Sequence, residues 1–429
     1  MDDLQSPGAG VSPGELTEIE KIVREELPGY LDDLATLVNV DCGSYTKAGV
    51  DEVGAWTAAF LERLGAQVEV HAQATLGDTV VGTFQGPRGG PRALLIGHLD
   101  TVFPEGTAAA RPLRIEDGIA YGPGVTDMKG GLLAGLYAIL ALLAVAESAE
   151  GAAPGVAGRA AGETGDLALP FERLVFVANP DEEIGSVSSS RIIRQLAELS
   201  DVCFVLECAR ANGDIVSARK GTVDLRLTVH GRAAHAGVEP EKGRNAILAA
   251  AHLVIELQAL NGRWPGVTVN VGVIRGGTRP NVVAEEAVIE VDVRATTREW
   301  LEAAEAAVRE AAGRTPVPDT RVTVEETARH WPMEKLERSG RLVEHAQAVA
   351  SRLGFELADA ATGGASDANT TAGLGVPSID GLGPIGGNDH SPAEYLEVDS
   401  IVPRTTLLAG LLLATGRDPL VASWRAGRD

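Results

Sequence analysis

Three short runs of apolar residues, each followed closely by imidazole or carboxylate side chains, constrain the fold of this chain most strongly. The runs cover residues 92–97, 174–178 and 202–206, and helical patterns separate them along the chain. Continuous apolar runs of this length predict buried strands. Strands that alternate with helices are typical of an α/β domain with a largely parallel sheet. Side chains that follow such strands meet at one edge of the sheet, where α/β proteins bind ligands.

The residue pattern changes after residue 221 and returns to the α/β type after residue 330. Residues 222–229 alternate apolar and polar side chains, as a strand with one solvated face does. The order strand–helix–strand–strand–helix–strand over about 110 residues resembles a ferredoxin-like module. We therefore predict a catalytic domain in two segments, 1–220 and 331–429, with an α+β domain inserted at 221–330.

The composition predicts a soluble protein of two or three domains. Of the 429 residues, 45% are hydrophobic and 23% are charged, which is ordinary for a chain with a globular core. The net charge of −23 would repel phosphate backbones and anionic lipids, so neither nucleic acid nor a membrane is expected as a partner. The apolar stretch 130–146 is shorter than the about 20 residues of a membrane span, and we predict a buried helix there.

The cysteines and the N-terminus indicate a cytoplasmic protein. Three cysteines are too few, and odd in number, for a disulfide framework, and they fit a reducing compartment. The first residues lack the basic start and the apolar core of a signal peptide. We predict a flexible leader at residues 1–14. The Gly- and Ala-rich residues 147–170 are predicted to be a surface insertion, to which we assign no function.

The first apolar run is followed by His98 and, two residues later, by Asp100. Imidazole is a common zinc ligand, and a carboxylate usually orients it through the second ring nitrogen. His98 is therefore a candidate ligand with Asp100 as its orienting partner, although strand-end residues of both types also cap loops.

Asp127 lies in the glycine-rich turn 121–131 before a helix. Such a turn could bind phosphate, but it lacks the P-loop pattern, and Asp127 suits a cation better.

Carboxylates also follow the second and third apolar runs. Asp181, Glu182 and Glu183 are consecutive residues after the second run. Adjacent carboxylates repel each other unless a cation or a proton lies between them. One of them could bind a metal while its neighbour acts as a general base, and an exposed acidic loop is the alternative interpretation. Glu207 follows the third run, and we interpret its neighbour Cys208 as a small buried residue rather than a thiolate ligand.

His390 lies in a late glycine-rich loop and becomes informative only beside the other candidates. Two imidazoles and three carboxylates would fit two divalent ions bridged by one carboxylate. The members of this set are His98, Asp127, Glu183, Glu207 and His390. In the predicted insert, His235 could stabilise an oxyanion, or it could be an ordinary turn residue.

Together these motifs resemble the di-zinc aminoacylase/carboxypeptidase family, which includes glutamate carboxypeptidases, acetylornithine deacetylase and succinyl-diaminopimelate desuccinylase. The resemblance rests on six motifs in order: HLDTV, GxxDMKGG, DEEIGS, Glu207, HGRAAHAG and DHSPAEY. The chain looks most similar to the carboxypeptidase G-like branch. The resemblance implies a phosphorylase/hydrolase-like mixed-sheet α/β catalytic domain with an inserted ferredoxin-like α+β dimerisation (lid) domain. It also implies a homodimer formed through the insert.

The resemblance implies a two-metal site. His98 and Glu207 would hold one Zn²⁺, Glu183 and His390 would hold the other, and Asp127 would bridge them. The peptide bond after Asp127 is commonly cis in this family. Co²⁺ or Mn²⁺ could replace zinc, because imidazole and carboxylate ligands also accept these ions.

The same resemblance implies roles for residues outside the ligand set. Asp100 would orient His98, and Glu182 would be the general base that takes a proton from the metal-bridging water. His235 would reach the active site of the partner subunit, and Asn281 would bind substrate. Gly364 lies in a segment, 362–367, that is predicted to line the pocket.

One position departs from the carboxypeptidase G-like pattern. That pattern places an arginine directly before a proline near the end of the insert, and here Trp331 precedes Pro332. The residues that could hold a substrate carboxylate instead are Arg294, Arg329 and the Arg219–Lys220 pair.

These observations predict a zinc-dependent amide hydrolase that acts on an N-acyl amino acid or a dipeptide-like substrate. A carboxypeptidase, an aminoacylase and a deacylase of a biosynthetic intermediate differ in their pocket walls rather than in the metal site, so all three stay open. A catalytically silent binding protein on this fold is one alternative, although no ligand or base is missing. A nucleotide-dependent enzyme is another, and it rests only on the glycine-rich turn.

Overall fold

The computed structural model describes residues 6–149, 169–314 and 316–424, which divide into two units. Unit 1 takes in Met1–Ser217, Lys335–Ala361 and Ser366–Asp429, and unit 2 takes in Ala218–Glu334 and Thr362–Ala365. Unit 2 begins three residues before the predicted insert and ends four residues after it. It also takes in the short segment 362–365, which we predicted as part of the catalytic domain. The predicted surface insertion lies mostly outside the described residues.

The strands are β1 (Gln67–His71), β2 (Thr79–Gln85), β3 (Arg92–His98), β4 (Arg114–Glu116), β5 (Ile119–Tyr121), β6 (Arg173–Asn179), β7 (Val202–Val205), β8 (Ile215–Arg219), β9 (Gly221–His230), β10 (Thr268–Gly276), β11 (Glu286–Ala295), β12 (Arg321–His330), β13 (Asp359–Thr362), β14 (Ser378–Ile379), β15 (Gly386–Gly387) and β16 (Tyr395–Glu397). The α-helices are α1 (Pro13–Val38), α2 (Lys47–Arg63), α3 (Thr107–Ala110), α4 (Gly130–Ala149), α5 (Ser190–Glu198), α6 (Ala246–Gln258), α7 (Arg298–Ala312), α8 (Glu337–Leu353), α9 (Asp367–Gly373), α10 (Val398–Gly416) and α11 (Pro419–Ser423).

A six-stranded mixed sheet forms the centre of unit 1, in the order β1-β2-β6-β3-β7-β14. The four strands β6, β3, β7 and β14 are parallel. At one edge β2 pairs antiparallel with β6, and β1 pairs antiparallel with β2. The three apolar runs of the sequence form β3, β6 and β7, whose side chains are almost entirely buried. The predicted mixed-sheet α/β domain is confirmed.

Two apolar helices of unit 1 belong to its core. Within the described residues, the segments Val125–Ser148 and Val398–Gly416 are long and apolar enough to cross a membrane by length and composition. Their most apolar windows are 78% and 83% buried inside the protein. Core helices of a globular domain have this character, and the prediction of a buried helix at 130–146 is confirmed.

Residues 6–12 correct the prediction of a flexible leader. Val11 is buried, and Arg352 donates hydrogen bonds to the carbonyl oxygens of Gly8 and Val11. The N–H of Gly8 donates to Nδ1 of His345 at 2.9 Å. The glycine and proline content of this segment indicates local freedom, but partners more than 300 residues away along the chain hold its backbone.

Asp418 completes this contact, and we expect Asp418→Asn to destabilise unit 1 at neutral pH. Its Oδ2 accepts hydrogen bonds from His345 Nε2 at 2.7 Å and Arg341 Nε at 2.9 Å. Burial raises the pKa of Asp418, but these hydrogen bonds outweigh burial and lower the pKa below its ordinary 3.8. A carboxyl with a lowered folded-state pKa stabilises folding above its unfolded pKa, and this contribution is lost as the pH falls through the folded pKa.

Urea unfolding should therefore show a loss of about 1–3 kcal/mol for Asp418→Asn at pH 7, and the difference from wild type should narrow below about pH 4. Glu344→Gln is the control, because Glu344 is an exposed partner of Arg341 at 3.5 Å and should cost about 0.5 kcal/mol or less. Equal stability of wild type and Asp418→Asn at pH 7 would contradict the prediction.

Unit 2 contains a four-stranded antiparallel sheet in the order β10-β11-β9-β12. Alternate side chains of β9 and β11 are buried with those of α6 and α7 in one apolar cluster. The chain order β9-α6-β10-β11-α7-β12 is the predicted strand–helix–strand–strand–helix–strand order. The predicted ferredoxin-like α+β insert is confirmed.

Candidate metal centre

Three neighbouring parallel strands end at the candidate site. β3 lies between β6 and β7, and His98 is the last residue of β3. Glu182 and Glu183 follow β6, and Glu207 follows β7. Because the carboxyl ends of parallel strands lie at one edge of a sheet, these side chains come together there.

A small antiparallel sheet brings Asp127 and His390 to the same place. Its strand order is β15-β16-β5-β4, and Tyr395 of β16 lies opposite Tyr121 of β5. The turn after β5 carries Asp127, and the loop between β15 and β16 carries His390. Both residues belong to unit 1. They lie far apart in the sequence, and the pairing of β5 with β16 brings their two segments together.

His98, Asp127 and Glu207 form the first group of candidate ligands. His98 Nε2 lies 3.0 Å from Asp127 Oδ1 and 3.8 Å from Glu207 Oε1. The other ring nitrogen, Nδ1, lies 3.0 Å from the carbonyl oxygen of Asp100 and 3.4 Å from its Oδ1. One nitrogen of His98 thus points at carboxylates while Asp100 holds the other, which is the arrangement of a metal-bound imidazole.

Asp127, Glu183 and His390 form the second group. His390 Nε2 lies 3.1 Å from Asp127 Oδ2 and 3.0 Å from Glu183 Oε2. In each group the ligand atoms lie within 4.8 Å of one another, and Asp127 offers one carboxylate oxygen to each group. Two groups that share a carboxylate have the form of a two-metal site, and nitrogen and oxygen donors of these types suit zinc. The peptide bond between Asp127 and Met128 is cis.

The charges of the site favour a cation. Burial by itself would lower the pKa of His98, but hydrogen bonds to Asp100 and Asp127 raise it well above its ordinary value. Hydrogen bonds to Asp127 and Glu183 raise the pKa of His390 to about 11. Among the described residues, the buried Oε1 of Glu183 has no hydrogen-bond partner. A divalent ion would accept this oxygen and offset the carboxylate charge, so the residues fit a metal.

Glu182 lies beside the two groups and belongs to neither. Its N–H donates to Asp100 Oδ1 at 3.1 Å, and the N–H of Glu183 donates to Asp100 Oδ2 at 3.2 Å. Burial raises the pKa of Glu182 well above its ordinary value, more than the nearby His98 lowers it, and Glu207 adds to the rise. A carboxyl beside the ligands with a raised pKa has the properties of a general base.

Glu394 is a site residue that sequence reasoning missed. It is buried, and its two carboxylate oxygens accept the N–H groups of Gly124 at 2.9 Å, Thr126 at 2.9 Å and Asp127 at 3.1 Å. These are backbone donors of the glycine-rich turn that could have bound phosphate. A carboxylate already occupies them, which argues against the nucleotide-binding alternative. The signal was present in the sequence, because Glu394 lies in the same DHSPAEY motif as His390.

We expect Glu394→Gln to weaken metal binding or turnover by a factor of about 10–100, the range for residues that orient metal ligands. The carboxamide keeps the shape but turns one acceptor into a donor that faces a backbone N–H. A competition titration with a zinc indicator and steady-state kinetics would measure the effect. Asp399→Asn, an exposed change on α10, is the control. Wild-type values for both quantities in Glu394→Gln would contradict this role.

His235, Asn281 and Gly364 lie in unit 2. The residue after His235 donates its N–H to the carbonyl oxygen of Asn281 at 3.1 Å, so these two segments are neighbours. His235 Nδ1 accepts the N–H of Gly237 at 3.1 Å. The carbonyl oxygen of Gly364 accepts a hydrogen bond from Arg219 Nη1 at 3.2 Å. The substrate-related roles of these residues stay predictions.

The candidate arginines differ in the charges around them. Arg329 forms ion pairs with Glu305 and with Glu326, and its side chain is 18% exposed. Arg294 forms an ion pair with Asp292 at 3.0 Å, and its side chain is 39% exposed. A guanidinium between two carboxylates is poorly placed to hold a third, so the structure favours Arg294 over Arg329 for a substrate carboxylate.

Comparison with known proteins identifies the family. Residues 94–152 match the model of the peptidase family M20/M25/M40, and residues 217–320 match the peptidase dimerisation domain. Carboxypeptidase G2 from Pseudomonas sp. (strain RS-16) is 30% identical over 397 residues, which cover 91% of this chain and 90% of the relative. The chain belongs to the M20 peptidase family.

One further relative is similar over most of the chain, and two solved structures share its fold. Succinyl-diaminopimelate desuccinylase from Stenotrophomonas maltophilia (strain R551-3) is 28% identical over 396 residues, which cover 86% of this chain and 96% of the relative. The crystal structure of aminopeptidase PepT from Bacillus cereus has a TM-score of 0.72 at 23% identity and covers 90% of this chain and 98% of its own. An M20 family metallo-carboxypeptidase from Sulfolobus solfataricus has a TM-score of 0.64 at 16% identity, with coverage of 90% and 98%.

These findings confirm the resemblance stated from the sequence. The chain has the M20 fold, with a catalytic domain and a dimerisation domain, and it is an enzyme of the amidohydrolase type. Metal dependence, generally on zinc, is a property of the family. The dimerisation domain indicates a homodimer.

Proposed function

We propose that this M20 enzyme is a two-metal amide hydrolase that cleaves an N-acyl amino acid or a short peptide, with Glu182 as its general base. The observation that carries the proposal is the pair of ligand groups that share Asp127. One ion would be held by His98 and Glu207, the other by Glu183 and His390, and both by Asp127. Zinc is the ion that these donors and the family favour, and Co²⁺ or Mn²⁺ would fit the same donors.

The chain's own side chains would divide the remaining work. When bound, divalent ions supply Lewis acidity, which polarises the scissile carbonyl and acidifies water. Glu182 takes a proton from the attacking water and delivers it to the leaving nitrogen. Asp100 contacts both the ring of His98 and the backbone N–H of Glu182. It therefore fixes the position of the general base relative to this metal ligand. His235 of the partner subunit would stabilise the charge that develops on the carbonyl oxygen.

We favour a carboxypeptidase over an aminoacylase. The relative at 30% identity, which spans 91% of this chain, is named a carboxypeptidase, whereas the relative named a desuccinylase is 28% identical over 86% of the chain. Arg294 would hold the substrate carboxylate, with Asn281 and Gly364 as further pocket residues. The enzyme would act as a homodimer, and its three free, buried cysteines are consistent with the cytoplasm.

Metal analysis combined with a substrate panel tests this function. The panel contains N-acyl amino acids and dipeptides that end in glutamate, each with and without a chelator. We expect close to two zinc ions per chain and release of one class of amino acid. We also expect turnover to disappear when the metal is removed and to return when zinc is added back, because the ligands alone supply no Lewis acid. Failure to bind any metal after zinc addition would overturn the ligand assignment.

A further inference from the structure

The turn that carries Glu182 and Glu183 is closed at its base by a buried carboxylate. The turn starts from Asn179, the last residue of β6, and reaches Ser186, whose φ of 54° lies in the left-handed region. Asp367, the first residue of α9, accepts a hydrogen bond from Asn179 Nδ2 at 2.6 Å and one from Ser186 Oγ at 2.6 Å. A left-handed residue other than glycine persists only where its surroundings hold it. Asp367 holds the side chain of Ser186, and the carbonyl oxygen of Asp181 accepts its N–H at 2.8 Å.

Every side-chain N–H and O–H of Asn179 and Ser186 donates a hydrogen bond within the contact around Asp367. Asn179 Nδ2 carries two hydrogens, and the second goes to Ser186 Oγ at 2.8 Å. Asn179 Oδ1 accepts the N–H of Asp181 at 3.0 Å, which ties the amide to the backbone of the turn. Asn179, Ser186 and Asp367 are 0%, 3% and 3% exposed, so water does not replace these bonds. Loss of the carboxylate would leave one N–H of Asn179 and the hydroxyl of Ser186 without their acceptor, and only the direct bond between these two side chains would still join them.

The side chains of Glu182 and Glu183 differ in how they would be held. As a metal ligand, Glu183 would be fixed through its own side chain. Glu182 is not a ligand, so the direction of its carboxyl depends on its backbone, which Asp100 holds at the N–H and the Asp367 contact holds at the base of the turn. A looser turn would therefore displace the base more than the metal.

We propose that Asp367 is a positioning residue for Glu182: by accepting hydrogen bonds from both Asn179 and Ser186, it stiffens the base of the turn and keeps the general base aligned for proton transfer. This inference rests on the proposed function of Glu182. A residue that acts in this way affects kcat more than metal content or KM, because neither the ligands nor the substrate contacts change.

Asp418 provides a matched control for a purely structural aspartate. It is also buried, and it accepts hydrogen bonds from His345 Nε2 at 2.7 Å and from Arg341 Nε at 2.9 Å. Neither of these partners belongs to the turn that carries Glu182 or to α9, which carries Asp367. Replacement of Asp418 should therefore change stability without changing the base.

The experiment measures kcat, KM, zinc content and the thermal unfolding midpoint of Asp367→Asn, Asp418→Asn and Glu182→Gln, with a dipeptide that the panel shows to be hydrolysed. We expect Asp367→Asn to lower kcat by a factor of about 10–100 with KM and zinc content unchanged. Asp418→Asn should shift the unfolding midpoint and keep the wild-type kcat. If Asp367→Asn does not fold, Ser186→Ala removes one of the two bonds to Asp367 and should give a smaller loss of kcat at full zinc content.

Three outcomes would overturn the inference. A wild-type kcat in Asp367→Asn, or in Ser186→Ala where that variant replaces it, would make Asp367 a stabilising residue only. Loss of zinc from Asp367→Asn would place its effect on Glu183 instead of Glu182. Full turnover in Glu182→Gln would refute the proposed function itself, and this result is distinguishable because it does not depend on any Asp367 variant.

Discussion

Glu182→Gln should lower kcat by a factor of about 10²–10⁴ while the enzyme keeps its metal. The carboxamide has the shape of the carboxyl but cannot accept a proton at neutral pH. Glu182 belongs to neither ligand group, and its contact with Asp100 goes through the backbone N–H, which the substitution leaves in place. Steady-state kinetics and metal analysis on the same preparation would test both halves of this expectation.

Glu183→Gln is the matched comparison, because the adjacent residue has the same chemistry and a different proposed role. It removes a ligand of the second group, so metal content should fall together with turnover. Equal effects of the two variants on metal content would show that the roles of Glu182 and Glu183 are not separate. Substantial turnover in Glu182→Gln would show that another group moves the proton.

Asp127→Asn should impair both metal sites at once. Its two carboxylate oxygens lie 3.0 Å from His98 Nε2 and 3.1 Å from His390 Nε2, so it is the residue that the two ligand groups share. The metal contribution to catalysis is several kcal/mol, and at 1.36 kcal/mol per factor of ten its loss would lower turnover by about 10³ or more. Mass spectrometry of the intact protein and zinc titration would count the ions retained.

Glu207→Gln is the comparison for Asp127→Asn, because it changes a ligand that belongs to one group only. Glu207 belongs to the first group alone, so its substitution should weaken one ion and leave the other bound. Asp127→Asn with two tightly bound ions would contradict the shared role. Loss of both ions from Glu207→Gln would show instead that the two sites cannot be occupied independently.

Local pattern was sufficient to predict the main elements of the fold. The runs that became β3, β6 and β7 were recognisable because strands buried on both faces carry nearly continuous apolar residues. The alternation in β9 and β11 was recognisable because one face of the unit 2 sheet is solvated. Local pattern failed at residues 6–12, since their order comes from His345 and Arg352 of α8 and from Arg417, which follows α10.

The sequence by itself determined which residue types follow the strands: His98, Glu182, Glu183 and Glu207 stand at strand ends that a parallel sheet must bring together. The resemblance implied that Asp127 and His390 share the site, but only the tertiary structure decided how they reach it, because the pairing of β5 with β16 has no signal in either segment alone. The same holds for the contacts of Glu394 and Asp367, two buried carboxylates that hold the turns of the site. Their partners are defined by folding, since hydrogen bonds between distant segments depend on how those segments pack and not on the spacing of residues along the chain.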